Sequence, residues 1–302
     1  MDKGSMAISK NKKLILEDHK EEVDAIISAS FGSYPLGSRN LKKLLQNVIS
    51  LRFYETNITI EDIQFFLINE SQLHKIILQT PRLETIYVWG VIDEYKLLIA
   101  IRPNGYYSHL TAMQLHKLID YEPENIVFNS EQRARLVSGN LEQSRIDNAF
   151  RNKQRITSAR TDYGGKVYWL LNGKQTGNYG VIKTMTPSNI EVPVTNLERT
   201  LVDIAVRPSY AGGAASVIQA YRHAQPKVSI VELSKTLRSL NHIYPYHQSV
   251  GFYMDMAGNY HDDDIKEFLN FKPLEYDFYL DYAIQNPVYS KKWRLYYPDN
   301  LL

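Results

Sequence analysis

One stretch, VTNLERTLVDIAVRPSYAGG from Val194 to Gly213, dictates more local structure than any other part of the chain. Val194-Thr195 ends a strand, and Thr195-Asn196-Leu197-Glu198 fits a capping box with Thr195 as the cap and Glu198 reaching back to its amide. Leu197, Leu201, Ile204 and Ala205 recur at helical spacing and form an apolar stripe. Pro208 stops the helix, and Gly212-Gly213 turns the chain. Arg199–Asp203 and Asp203–Arg207 are spaced for i,i+4 pairing. Arg199 lies between apolar neighbours near a strand end, so its stem is expected on the core. The stretch predicts a short helix, over 195–207, docked as a structural pillar. Nothing local makes its charges catalytic.

The elements around it predict a mixed α+β chain rather than a βαβ alternation. Helices are expected from about Leu14 to Phe31, from a Ser38 cap over SRNLKKLLQNVISLRFY, and from a Thr59 cap over TIEDIQFFLINE, with Asp62 as capping-box partner. LHKIILQ and ETIYVW read as a hairpin with its turn at Thr80–Leu83. Three helices and a hairpin outline a winged-helix-like domain over residues 10–90, after a tail or cloning scar at 1–9. Residues 91–302 read as one mixed α/β domain. Its helices are expected near Glu94–Ala100, after a Ser108 cap, over Ala214–Ala224, over Ser229–Leu240 with a Ser229/Glu232 box, and over Tyr246–Ala257. NIVFNS, KVYWLLN, EVPVT, EYDFYLDY and WRLYY read as strands, with EVPVT at an edge because of Pro193.

Several chemistries are excluded or weakened. The chain has no cysteine, which removes disulfides, thiolate nucleophiles and Cys-ligated zinc. No apolar run reaches the ~20 residues of a membrane helix, so no membrane partner is expected and a soluble cytoplasmic protein is the simplest reading. The turn Gly173-Lys174-Gln175-Thr176-Gly177 lacks the spacer and ending of a phosphate-binding loop. His109 and His116 bring no acid at ligand spacing. HDDD at His261–Asp264 suits a helix N-terminus. No Gly-x-Ser-x-Gly elbow exists. No metal, cofactor or catalytic residue is expected.

The opening stretch, with YYSHLTAMQLHKL, YPYHQSVGFYMDMAG and FYLDY…YSKKWRLYYP, resembles the AbiEi family of antitoxins from type IV toxin–antitoxin systems. The resemblance covers roughly Ile86 to Pro298. It implies an N-terminal winged helix that binds operator DNA and represses its own operon. It also implies a C-terminal antitoxin domain that counteracts a nucleotidyltransferase toxin, without a stable complex between them. No catalytic residue is carried over from the family.

Residues 1–85 do not match the family's DNA-binding motif. The expected third helix carries Glu61, Asp62 and Glu70 and no Lys or Arg. If DNA is bound, phosphate contacts fall to Arg39, Lys42, Lys43 and Arg52 on the second helix and to Lys75 and Arg82 on the hairpin. The basic segment Arg151, Lys153, Arg155 and Arg160 would assist. Two rival readings stay open. One is an interaction protein of the same fold without DNA binding, which the acidic third helix favours. The other is a metal-dependent phage-defence nuclease.

Overall fold

The computed structural model describes residues 8–31, 34–78, 84–133 and 140–301. The chain divides into two compact units, Met1–Pro103 with Ser158–Gly164, and Asn104–Thr157 with Gly165–Leu302. The division thus follows Pro103 instead of Gly90, and a later segment returns to the first unit.

The first unit runs α1 (Lys10–Asp18), α2 (Lys20–Phe31), β1 (Leu36–Gly37), α3 (Ser38–Arg52), α4 (Ile60–Glu70), β2 (Leu73–Leu78), β3 (Glu84–Trp89) and α5 (Lys96–Ile101). The single helix expected over Leu14–Phe31 is two, broken at His19. The His19 Nδ1 sits 3.0 Å from the Ile15 carbonyl, the acceptor that a continuing helix needs for its own amide. The Ser38 cap is also corrected: Ser38 is the first helical residue and Gly37 holds the cap position without a side-chain bond. Thr59 caps α4 as expected, accepting from the Asp62 amide at 3.2 Å while its own amide donates to Asp62 at 2.8 Å. Helix α5 starts two residues later than Glu94, because Asp93 first closes a turn on the Tyr95 and Lys96 amides. The three strands lie in the order β1-β3-β2, all antiparallel, with Leu36 opposite Tyr87 and Leu73 opposite Trp89. The turn expected at Thr80–Leu83, with Arg82, lies outside the described residues. Leu16, Ile27, Leu45, Val48, Ile63 and Phe66 are core residues of this unit; burial of each such side chain contributes about 1.5–3 kcal/mol.

The second unit begins with β4 (Tyr106–Tyr107), α6 (His109–Leu115), β5 (Asn125–Glu131) and α7 (Gln143–Arg151). β6 (Arg160–Tyr163) belongs to the first unit. Then follow β7 (Lys166–Gly173), β8 (Val181–Met185), β9 (Glu191–Thr195), α8 (Leu197–Val206), a 3-10 turn (Pro208–Tyr210), α9 (Ala214–Ala224), α10 (Ile230–Leu240), α11 (Tyr246–Ala257), α12 (Asp262–Leu269), β10 (Phe278–Tyr279), β11 (Pro287–Ser290) and β12 (Leu295–Pro298). Within the unit the main sheet is ordered β7-β5-β4-β9-β8, and β10-β12-β11 form a second small sheet. β5 and β7 are parallel, with Asn125 opposite Val167 and Glu131 opposite Gly173. β9 is therefore not the edge strand that Pro193 led us to expect, since β4 and β8 flank it. Pro193 is tolerated because two-residue β4 meets β9 only at Tyr107–Val194, leaving no ladder bond for the missing amide to break.

The pillar helix α8 forms with its cap shifted by one residue. Asn196 is the cap, its side chain accepting from the Arg199 amide at 2.9 Å. Thr195 is buried and bonds the Thr200 hydroxyl at 2.8 Å. Glu198 does not return to the cap amide; it accepts from the Ser229 amide at 3.1 Å, the role expected of Glu232 in its own box. Ser229 still caps α10 through the Glu232 amide at 3.3 Å. Ser108 holds the cap position of α6 as expected but makes no capping bond, and its hydroxyl meets His109 Nδ1 at 2.9 Å. We expect Asn196→Ala to lower unfolding free energy by about 0.5–2 kcal/mol in urea titrations. An unchanged midpoint would refute the shifted cap.

Candidate functional site

Amphipathic α3 buries Leu41, Leu45 and Val48, and this turns Arg39, Lys42 and Lys43 outward. Those three are exposed and, among the described residues, make no ion pair. Arg52, at the end of the same helix, is different: it is bound to Glu22 at 2.5 Å. Lys75 is exposed on β2. Arg82 lies outside the described residues. Arg151, Lys153 and Arg155 are exposed but belong to the second unit. Arg160 is exposed on β6 of the first unit and already has an interaction partner. Helix α3 thus presents Arg39, Lys42 and Lys43 to solvent, with Arg52 at its end paired to Glu22.

The acids of α4 are largely neutralised within the chain. Lys12 on α1 reaches Asp62 at 2.7 Å, and Lys13 reaches Glu70 at 2.7 Å. Burial alone would push the Asp62 carboxyl up. The Lys12 and Thr59 hydrogen bonds outweigh it and hold the group below the usual carboxylate range. Among the described residues, only Glu61 of the three α4 acids is left without such a lysine.

A second feature was foreseen only in its Arg199–Asp203 pair and the burial of Arg199, not in the network and cleft around them. One turn of α8 places Arg199 and Asp203 together, and Arg199 Nε donates to Asp203 Oδ1 at 2.8 Å. Arg199 is 5% exposed and every guanidinium nitrogen is used: Nη1 donates to the Tyr179 carbonyl at 2.8 Å, and Nη2 reaches the Tyr106 hydroxyl at 3.4 Å. Tyr106 in turn bonds Glu131 at 3.2 Å. The Glu131 carboxylate accepts the Thr176, Gly177 and Asn178 amides at 2.7, 2.9 and 3.2 Å, and so shapes the loop after β7. Burial would raise Glu131, but these donors hold it below its ordinary value. Asp203 goes the other way: burial pushes its carboxyl up, and Arg199 pulls against that.

Beside this network the second unit opens into a cleft of about 680 Å³. Lys174, Arg199 and Arg207 line it, with Asp203 as the one acid among the described lining residues. Lys174 Nζ donates to the Leu240 and Asn241 carbonyls at 2.8 and 2.6 Å. The expected Asp203–Arg207 pair is not formed; among the described residues Arg207 has no ion-pair or side-chain hydrogen-bond partner. His109 and His242 also line the cleft. Burial first, then neighbouring cations, depresses each to about 3, so both are neutral near pH 7.

The other candidate groups are accounted for locally. His116 Nε2 donates to the Thr195 carbonyl at 2.6 Å, away from the His109–Ser108 bond. The HDDD acids open α12, where the His261 amide donates to Asp264 at 3.3 Å. Among the described residues, no group of three or more His, Cys, Asp or Glu could hold a metal ion, and no helix is long and apolar enough to cross a membrane.

No family model matches the chain, and no curated protein sequence matches it. A crystal structure of the RV2827C protein from Mycobacterium tuberculosis is similar in fold, with a TM-score of 0.57 and 14% identity over 91% of each chain. At that identity the likeness carries the fold alone.

Proposed function

We propose that the chain is a DNA-binding antitoxin of the type IV class, which represses its own operon and counteracts a nucleotidyltransferase toxin in the cytoplasm. The observation that supports this most is the topology of the first unit. The order α2, β1, α3, α4, β2, β3, with β1 paired to β3, supports a winged-helix reading. On this reading α3 and α4 are the helix-turn-helix pair, and β2 and β3 are the strands of the wing. Arg39, Lys42 and Lys43 then supply phosphate contacts beside the groove. The toxin and the operon enter through the sequence resemblance of the second unit. No catalytic step is assigned.

The test is a binding titration of the full chain on the DNA upstream of its own gene at several salt concentrations. Each phosphate contact contributes about 0.9 to the slope of log affinity against log salt. Lys42→Ala with Lys43→Ala should weaken binding to operator and unrelated DNA alike and flatten that slope by about 2. An unchanged affinity and slope would remove α3 from the interface.

A second reading has one observation in its favour. Helix α4, which would read the groove, carries Glu61, Asp62 and Glu70 and no cation. A protein of this fold that has lost DNA binding would show no upstream-DNA complex at any salt while still neutralising its toxin.

A further inference from the structure

We propose that the cleft of the second unit binds a small phosphorylated ligand of nucleotide size, with Arg207 and Lys174 on the phosphate and the tyrosine wall against its ring. Three cations and one carboxylate line it, which leaves the lining positively charged while His109 and His242 are neutral. Arg199 contributes mainly field, because Asp203, Tyr179, Thr176 and Tyr106 occupy four of its five N–H groups. Arg207 is the opposite case: half-buried at the C-terminal end of α8 and, among the described residues, without a side-chain hydrogen bond or ion pair. Lys174 spends two of its three N–H groups on carbonyls at the end of α10 and keeps one. A guanidinium and an ammonium with donors to spare, facing a cleft whose sole acid is already paired, suit a dianionic oxyanion.

The remaining lining says what else the ligand carries. Tyr244, Tyr246 and Tyr282 stand with Ile243, Leu171 and Val206 around the same space. Tyrosine presents a flat apolar face with a polar rim, which suits a planar heterocycle. The tyrosines are held from behind: Tyr282 stacks on Phe150 at 4.4 Å, and Tyr246 meets Phe278 edge-on at 5.3 Å. A volume of about 680 Å³ lies within the range of small-molecule sites. The shape therefore favours a compact ligand over a polymer.

The test is calorimetric titration of the intact chain, without DNA, with the four ribonucleoside monophosphates, with inorganic phosphate and with adenosine. At least one monophosphate should bind, and phosphate and adenosine should each bind at least about tenfold more weakly, since each keeps half of the contacts. Arg207→Ala should weaken the nucleotide by at least about tenfold with an unchanged melting temperature, because it strands no buried acid. Lys174→Ala should act in the same direction. Failure of all four nucleotides at millimolar concentration, or affinity unaltered in both variants, overturns the proposal. Neither result touches DNA binding, so a chain that binds its upstream DNA and no nucleotide contradicts this inference alone.

Discussion

Arg199→Ala will destabilise the protein by about 3–5 kcal/mol, the usual consequence of stranding one partner of a buried ion pair. Asp203 is 9% exposed and its nearest cation is Arg199 at 2.8 Å. The substitution also removes donors from the Tyr179 carbonyl, Thr176 and Tyr106, which that one side chain ties to α8. An exposed i,i+4 pair would cost only about 0.3–0.5 kcal/mol, so the two cases are well separated. The pH dependence gives a second check. Burial already raises the Asp203 carboxyl, and Arg199 opposes that. Without Arg199 the folded-state pKa rises further above the unfolded one. A raised folded pKa favours the folded state at low pH, and the benefit is lost as pH rises through it. The variant's deficit in urea should therefore be smaller at about pH 5 than at about pH 8. A deficit under about 0.5 kcal/mol, or one that grows on acidification, would place Arg199 outside the core of the second unit.

Gly251→Ala on α11 should cost about 2 kcal/mol or more, although helix propensity alone favours alanine by about 1 kcal/mol. A Cβ at Gly251 would lie 2.1 and 2.2 Å from two ring carbons of Trp293. Trp293 is 1% exposed and cannot swing aside easily: its Nε1 donates to Asp255 at 2.9 Å, and its carbonyl accepts from Gln248 at 2.7 Å. Either α11 moves off the ring or the ring breaks these bonds. The chemical-denaturation midpoint reads the outcome, and a midpoint at or above wild type would mean that α11 and Trp293 do not make this approach.

Elements whose local signals agree were legible in the sequence. Helix α4 has its Thr59 box, and α8 has its stripe and Pro208 stop. Strands β5 and β7 are continuous apolar runs, as parallel pairing buries both faces. What failed was decided by tertiary contacts. The apolar pattern continues through His19, yet the ring takes the Ile15 carbonyl. Thr195 and Asn196 are both good caps, and burial of Thr195 against Thr200 hands the role to Asn196. Pro193 marks an edge only if its neighbour is long, and β4 is not. Burial of Arg199 was readable from its place between Leu197 and Leu201 near a strand end. The cleft was not, because Lys174 and Arg207 come together only through the sheet order and the 241–246 segment beyond α10. At α3 the outward placement of Arg39, Lys42 and Lys43 followed from the helical period alone, whereas the Arg52–Glu22 pair needed α2 beside it.

We propose that this chain recognises the DNA of its own operon through its first unit. The most direct test is the ratio of affinities of the intact protein for its own upstream sequence and for a scrambled duplex of equal length, at one physiological salt concentration. Specific binders discriminate by about 10³ or more, and the account predicts a ratio in that range that persists when Lys42 and Lys43 are replaced, while both affinities fall. Equal affinities for the two duplexes, or no binding to either, would contradict it.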